Sequence, residues 1–225
     1  SAMQGISHGW GQPSGDGRFV VAVGGHLLAS LVVEQKILPA SVINERAAVI
    51  ASETEALQGY KVGRKQMKEI KEAALAELLP KAFSKRRRTL VWIDPVGGWL
   101  VIDTSSPTRA EEVLNALRDA LDEFPVRIVR TVQSPTSVMT AWLSAGEAPG
   151  AFTVDRDCKL AAVSDEKAKV SYAHHALDGS DVQQHLAAGK LPEALGMTFD
   201  ERISFILTEK AVMKRLAFLD VVKAQ

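Results

Sequence analysis

Four consecutive cations, Lys85, Arg86, Arg87 and Arg88, stand between Phe83 and an apolar run, Leu90 to Ile93. Lysine and arginine at such density bind anions. An ammonium offers a compact charge, and a guanidinium offers a fork of N–H donors that matches phosphate or carboxylate oxygens. From Gly59 to Arg88 the chain carries ten cations (Lys61, Arg64, Lys65, Lys68, Lys71, Lys81, Lys85, Arg86, Arg87 and Arg88) against three acids, Glu69, Glu72 and Glu77, a local surplus of seven. The whole chain has 27 basic and 27 acidic residues, so acids elsewhere match this surplus. Lys61, Arg64, Lys65, Lys68 and Lys71 step by three or four, which puts their helical members near one face. Met67, Ile70, Ala74 and Leu78 recur at the same step on another face that can pack. Like charges at this spacing cost a helix roughly 0.2–0.5 kcal/mol per pair. A polyanion relieves that repulsion, and duplex DNA presents one charge per about 1.7 Å of axis. The plainer alternative is a solvated helix face followed by an exposed turn.

Catalytic patterns are weaker. Asp94 and Asp103 flank a turn, where carboxylates cap backbone N–H groups more often than they form an acid/base pair. His174, His175 and His185 suggest a metal, but adjacent histidines on a strand point to opposite faces, and no Cys or Glu completes a ligand set at zinc spacing. Cys158, the single cysteine, has no partner pattern for a nucleophile. Gly189-Lys190 lacks the preceding glycine and following Ser/Thr of a phosphate-binding loop, and the glycines of Gly9–Arg18 have no strand before them and no helix after. No catalytic residue, metal ligand set or cofactor is assigned, and the chain is read as a non-enzyme. A hydrolase or metal enzyme using Asp94, Asp103 or the histidines stays as a minor alternative. There is no helix-turn-helix or zinc-finger pattern, and aromatics at 6% match poorly with base stacking on single strands. Phosphate contact without base readout remains. An interaction module whose basic face docks an acidic partner is the other reading.

The elements that must position these residues are legible in outline. Residues 1–18 read as a tag remnant, Ser1-Ala2-Met3, and a Gly- and Pro-rich entry loop. Phe19 to Val33 reads as two apolar runs around Gly24-Gly25, a hairpin. A helix follows from Pro39 to about Leu57, and a second from Arg64 to Leu79, stopped by Pro80. Thr89 to Asp103 forms another hairpin around Pro95-Val96-Gly97-Gly98, and Ser106-Pro107 opens a helix. The region 19–150 is completed by a short strand at Val126–Arg130 and a helix from Ser134. Residues 151–190 read as a smaller projecting polar region, with a polar segment from Asp155 to Lys169 and a short helix from Gly179. Residues 191–225 read as a hairpin returning to the main body. Hairpin followed by helix recurs, so the fold class is α+β, with mixed, largely antiparallel sheets.

Composition bounds the rest. At 225 residues, 46% hydrophobic and 24% charged, the chain is an ordinary globular protein. A lone cysteine fits a reducing compartment. The most apolar window, Phe19 to Val33, is too short to span a bilayer as a helix, and no signal peptide is read ahead of it. A cytoplasmic location is expected, with no membrane association.

Several long stretches occur together: "KILPASVI" after a hairpin, "VGRKQMKEIKEAALAELLPKAFSKRRRTLVWID", "SPTSVMTAWLSAGEAPGAF", "HLAAGK" and "RISFILTEKAVMKRLAFLD". In this order they resemble the RdgC family of bacterial recombination-associated proteins, from about Gly9 to Asp220. The resemblance implies an elongated subunit of a ring-shaped homodimer that holds double-stranded DNA in a basic central hole without sequence preference. It also implies nucleoid association and restraint of RecA by occupying its DNA. Carried over by position, it implies a DNA-facing role for Lys61, Arg64, Lys65, Lys68 and Lys81, with Lys85 to Arg88 beside them. It makes Phe83 an aromatic at the subunit contact, where pattern alone favours ordinary core. It puts His174 and His175 on a projecting finger, where the family can carry Lys-Gln. Relative to the family, a leading and a trailing segment are expected to be missing here.

Overall fold

Alternation along two long strands sets the architecture of the N-terminal half. In the computed structural model, which describes residues 5–163 and 168–223, β1 (Ile6–Gly11) and β2 (Val20–Val23) both pair with β3 (His26–Ile37). The β2–β3 turn is Gly24-Gly25, with φ of 58° and 85°, a conformation open to glycine and matched to the right-handed twist of a hairpin. β3 pairs along its other edge with β4 (Phe83–Asp94), from Leu27 opposite Ile93 to Ile37 opposite Phe83, and β4 pairs with β5 (Trp99–Ile102). All these pairings are antiparallel. Odd-numbered residues of β3 and β4 share one face, and α3 (Pro107–Ala120) packs there. Ala29, Leu31, Val33 and Val91 meet Val113, Ala116 and Leu117 at helical spacing.

Between β3 and β4 lie α1 (Ala40–Gln58) and α2 (Arg64–Leu78), joined at Gly59, whose φ of 79° ends α1 in the left-handed conformation. These helices close on a separate small core, Ala47 and Ala51 against Ile70 and Ala74. Three alanines in four let the two backbones approach closely. The helical hairpin is thus an insertion carried at one end of the β3–β4 ladder.

The chain divides into two compact units, Ser1–Val126 and Arg127–Gln225. The second unit has α4 (Pro135–Ala145), β6 (Phe152–Ala162), β7 (Lys169–Tyr172), α5 (Ser180–Ala187), β8 (Lys190–Phe199), β9 (Ile203–Thr208), β10 (Met213–Phe218) and the short α6 (Asp220–Lys223). Its antiparallel sheet has the order β10-β9-β8-β6-β7, and Met139, Leu143 and Val182 of the helices pack on Leu160, Leu195 and Met197. The protein is α+β. No helix among the described residues is long and apolar enough to cross a membrane.

Several local expectations differ from this fold. Part of the supposed entry loop is β1, where Trp10 reaches the first core. Ser1 to Met3 lie outside the described residues. Val126–Arg130 is not a strand; its Ile128 and Val129 are exposed and unpaired, so β-branched propensity found no neighbouring edge. The polar segment from Asp155 is mostly β6, whose charged residues share a strand with the inward Cys158 and Leu160. The units part after Val126 and not near residue 150, because α4 packs on β8 and β9. Residues 151–190 supply two strands of that sheet, and the β9–β10 hairpin joins β8 of the same sheet.

Candidate nucleic-acid interface

The basic row on α2 is fully presented. Arg64, Lys65, Lys68 and Lys71 are exposed, as is Lys61 just before the helix. At 100° per residue, Arg64, Lys68 and Lys71 fall within about 60° of one another, with Lys65 beyond them. Ile70 and Ala74 turn the opposite way, into the α1 contact. The helix starts at Gly63 with no side-chain cap and no acid in its first turn. Arg64 and Lys65 therefore sit at the positive end of the dipole, where cations are unfavourable. Lys68 lies 3.9 Å from Glu72, and Glu77 is shared between Arg46 at 2.8 Å and Lys81 at 3.9 Å. Among the described residues, no ion pair engages Lys61, Arg64, Lys65 or Lys71.

The run from Lys85 to Arg88 behaves differently. It belongs to β4 itself, so the strand starts at Phe83 and the alternative of an exposed turn does not hold. Its side chains alternate between faces. Arg87 lies on the α3 side, 27% exposed, and its guanidinium pairs with Glu112. Arg86 lies on the other side, 75% exposed, 2.8 Å from Glu34, its direct cross-strand neighbour. Hydrogen bonding from Ser84, then from Arg86, holds the Glu34 carboxyl below the usual carboxylate range. Arg88 reaches the Pro13 carbonyl at 3.5 Å, and Lys85 is exposed. The four cations do not form one surface, and two of them already hold carboxylates. No local signal announced this, since Glu34 and Glu112 are 52 and 25 residues from their arginines.

Phe83 is 86% exposed, at the end of β4 opposite Ile37. It is not core of its own unit. His174 and His175 belong to the second unit and lie in a loop after β7, so the argument from strand alternation does not apply to them. His174 adopts φ 54°, and its backbone N–H donates to Asp157 Oδ1 at 3.3 Å. His175 Nδ1–H donates to the Ala176 carbonyl at 2.7 Å, and its Nε2 lies 3.9 Å from Asp181.

The remaining candidates have structural employment. Asp94 Oδ1 accepts from the N–H groups of Val96, at 3.1 Å, and Gly97, at 2.8 Å, so it caps the β4–β5 turn. Burial pushes the Cys158 thiol up to about 12, far from a ready nucleophile. Lys190 Nζ donates to His185 Nδ1 at 3.0 Å. Among the described residues, no group of three His, Cys, Asp or Glu could hold a metal ion.

A family model described as "Putative exonuclease, RdgC" matches residues 1–225. The chain belongs to the RdgC family. It is 48% identical over 225 residues to a recombination-associated protein RdgC of Dechloromonas aromatica (strain RCB), a match that covers 99% of this chain and 74% of the relative. It is 48% identical to the RdgC of Cupriavidus necator, covering 97% of this chain and 73% of the relative. It is 47% identical to that of Herminiimonas arsenicoxydans, covering 99% and 74%. These RdgC relatives are named for recombination and not for an enzymatic activity.

Proposed function

We propose that this RdgC-family protein binds double-stranded DNA through phosphate contacts, without regard to sequence, and limits RecA access to that DNA as a ring-shaped homodimer of the nucleoid. The exposed cationic row of α2, in which Arg64, Lys65 and Lys71 make no ion pair among the described residues, carries the reading. Cations placed against the helix dipole with no acid to neutralise them are stabilised by a polyanion that supplies the missing charge. Lys61, Arg64, Lys65, Lys68 and Lys81 are the contacts, and Lys71 joins them on the same stripe. Lys85 and Arg88 are secondary, and Arg86 and Arg87 are engaged by acids of this chain. The exposure of Phe83 supports its use at a contact between subunits, since a solvated phenyl ring loses burial worth about 1.5–3 kcal/mol. His174 and His175, on the proposed finger, give a further contact.

The test is affinity for unrelated duplexes of equal length across a salt series. With about six phosphates engaged, log affinity falls against log salt with a slope near −5 on every sequence. A flat response, or strong preference for one sequence, refutes phosphate-only binding. Sizing in solution, followed by comparison of linear and closed circular DNA, tests the ring, because a closed clamp loads poorly on circles. Release of nucleotides from duplex ends in the presence of magnesium overturns the non-enzymatic reading.

A further inference from the structure

β4 has one satisfied edge and one open edge. On one side it is paired with β3 along Phe83–Ile93. On the other, β5 covers only Val91–Asp94, and the last backbone contact is the Leu90 carbonyl accepting from Asp103 N–H at 2.9 Å. Among the described residues, no strand pairs with the outer edge from Phe83 to Thr89. By the strand period, Ser84, Arg86 and Arg88 turn their N–H and C=O groups the same way as Leu90, toward that open side. Cations flank the edge on both faces, Arg88 on one and Lys85 on the other, beside Arg86 and Arg87, which Glu34 and Glu112 already hold.

We infer that this open edge of β4 is a docking site for an extended acidic segment of a partner protein, which adds as an antiparallel strand. The inference stands independently of DNA binding by α2. Charge on an edge strand keeps a sheet from adding neutral or basic strands; the same charge admits an acidic one. Cations on one face recur every two residues, about 6.8 Å, the repeat of side chains on an added strand. β3 demonstrates the pairing from the inner side, where Glu34 directly opposite Arg86 forms a 2.8 Å ion pair. Opposite charges placed so across strands strengthen pairing by about two- to fivefold each. Duplex DNA matches this surface less well. It supplies no ladder for the open backbone groups.

The probe is a fluorescein-labelled nine-residue peptide alternating Thr and Glu. Its control is the same peptide N-methylated at its five central residues, which keeps every charge and removes the donors of both edges. Anisotropy at low salt reads affinity, and hydrogen exchange of the protein reads the edge amides. The unmethylated peptide is expected to bind at least tenfold more tightly, and to slow exchange at Ser84, Arg86 and Arg88 at least tenfold. Lys85→Glu/Arg88→Glu is expected to lose at least tenfold in peptide affinity; should that variant fail to fold, the methylation contrast decides alone. Absence of binding, equal affinity for both peptides, or binding without slowed exchange at those amides overturns the inference. So does a duplex that slows the same amides as strongly, which assigns the edge to nucleic acid.

Discussion

Neutralising the α2 stripe should remove a countable share of DNA affinity. Arg64, Lys68 and Lys71 span eight residues, seven rises or about 10 Å of helix, and that length passes about six duplex charges. Three simultaneous contacts are therefore sterically available. Each phosphate contact contributes about 0.9 to the slope of log affinity against log salt. The triple change Arg64→Gln, Lys68→Gln, Lys71→Gln should reduce the slope by about 2.7. At 0.15 M salt each contact is worth about 0.7 log units relative to 1 M, so the variant should bind about 150-fold more weakly. The substitutions touch no core residue, and the one ion pair broken, Lys68–Glu72 at 3.9 Å, is exposed and contributes little. Fluorescence anisotropy on two unrelated 20-base-pair duplexes at four salt concentrations measures both quantities, with circular dichroism as the check on fold. An unchanged slope, or a loss confined to one of the two duplexes, refutes phosphate contact by this stripe.

Other expectations follow from single contacts. Glu112→Gln leaves the Arg87 guanidinium beside α3 without its carboxylate and should cost about 1 kcal/mol in urea unfolding. Leu195→Ala, in the fully buried core of the second unit, should cost about 3 kcal/mol by the same measurement. The Cys158 thiol, buried with its pKa pushed up to about 12, should resist a disulfide-exchange reagent at pH 8 in the native protein and react at once in urea. Lys169, then Lys159, holds the Glu193 carboxyl below its ordinary range. A depressed carboxylate stabilises the fold above its unfolded pKa, about 4.3, and that contribution is lost as pH falls through the lower folded value. Acid unfolding of Glu193→Gln should be less steep over that interval than that of the parent.

The hairpins, the α1–α2 pair and α3 were legible because each has a strong local mark: Gly24-Gly25, the stop at Pro80, Ser106-Pro107. What escaped was long-range. β1 has two glycines in six residues and reads as loop until β3 offers it an edge. β6 hides its period behind Asp155, Arg156 and Asp157, and only Cys158 and Leu160 betray the buried face. Val126–Arg130 has the composition of a strand and, among the described residues, no strand that pairs with it. At the candidate site, the α2 cations could be found from spacing alone, because a helix converts steps of three and four into one surface. The Lys85 to Arg88 run could not be resolved so. Whether four adjacent cations form one patch or two depends on whether the backbone is helix, turn or strand, and β4 divides them. Phe83 shows the limit from the other side, since no property of the segment distinguishes a buried phenyl from one 86% exposed.

The charge balance has the same spatial character. The surplus of seven between Gly59 and Arg88 is cancelled inside its own unit: residues 1–126 hold 15 basic and 15 acidic residues, and residues 127–225 hold 12 of each. The compensating acids lie on α1, at Glu45, Glu53 and Glu55, and around α3, at Glu111, Glu112, Asp119, Asp122 and Glu123. A neutral unit has little field beyond the Debye length of about 8 Å at physiological salt, so long-range steering of a polyanion is weak. Within that distance the two signs act oppositely, the α2 stripe attracting phosphate and the acids after β5 repelling it. On the proposed DNA-binding reading, local separation of charge thus selects the face a duplex approaches while leaving the chain without net attraction for anions in general. Reversing Glu111 and Asp119 to lysine, both far in sequence from the stripe, should therefore raise non-specific DNA affinity and add a second binding face. Stoichiometry read by titration of the short duplex above its dissociation constant tests this. An unchanged ratio and affinity in that variant would show that the acids play no part in orienting the DNA.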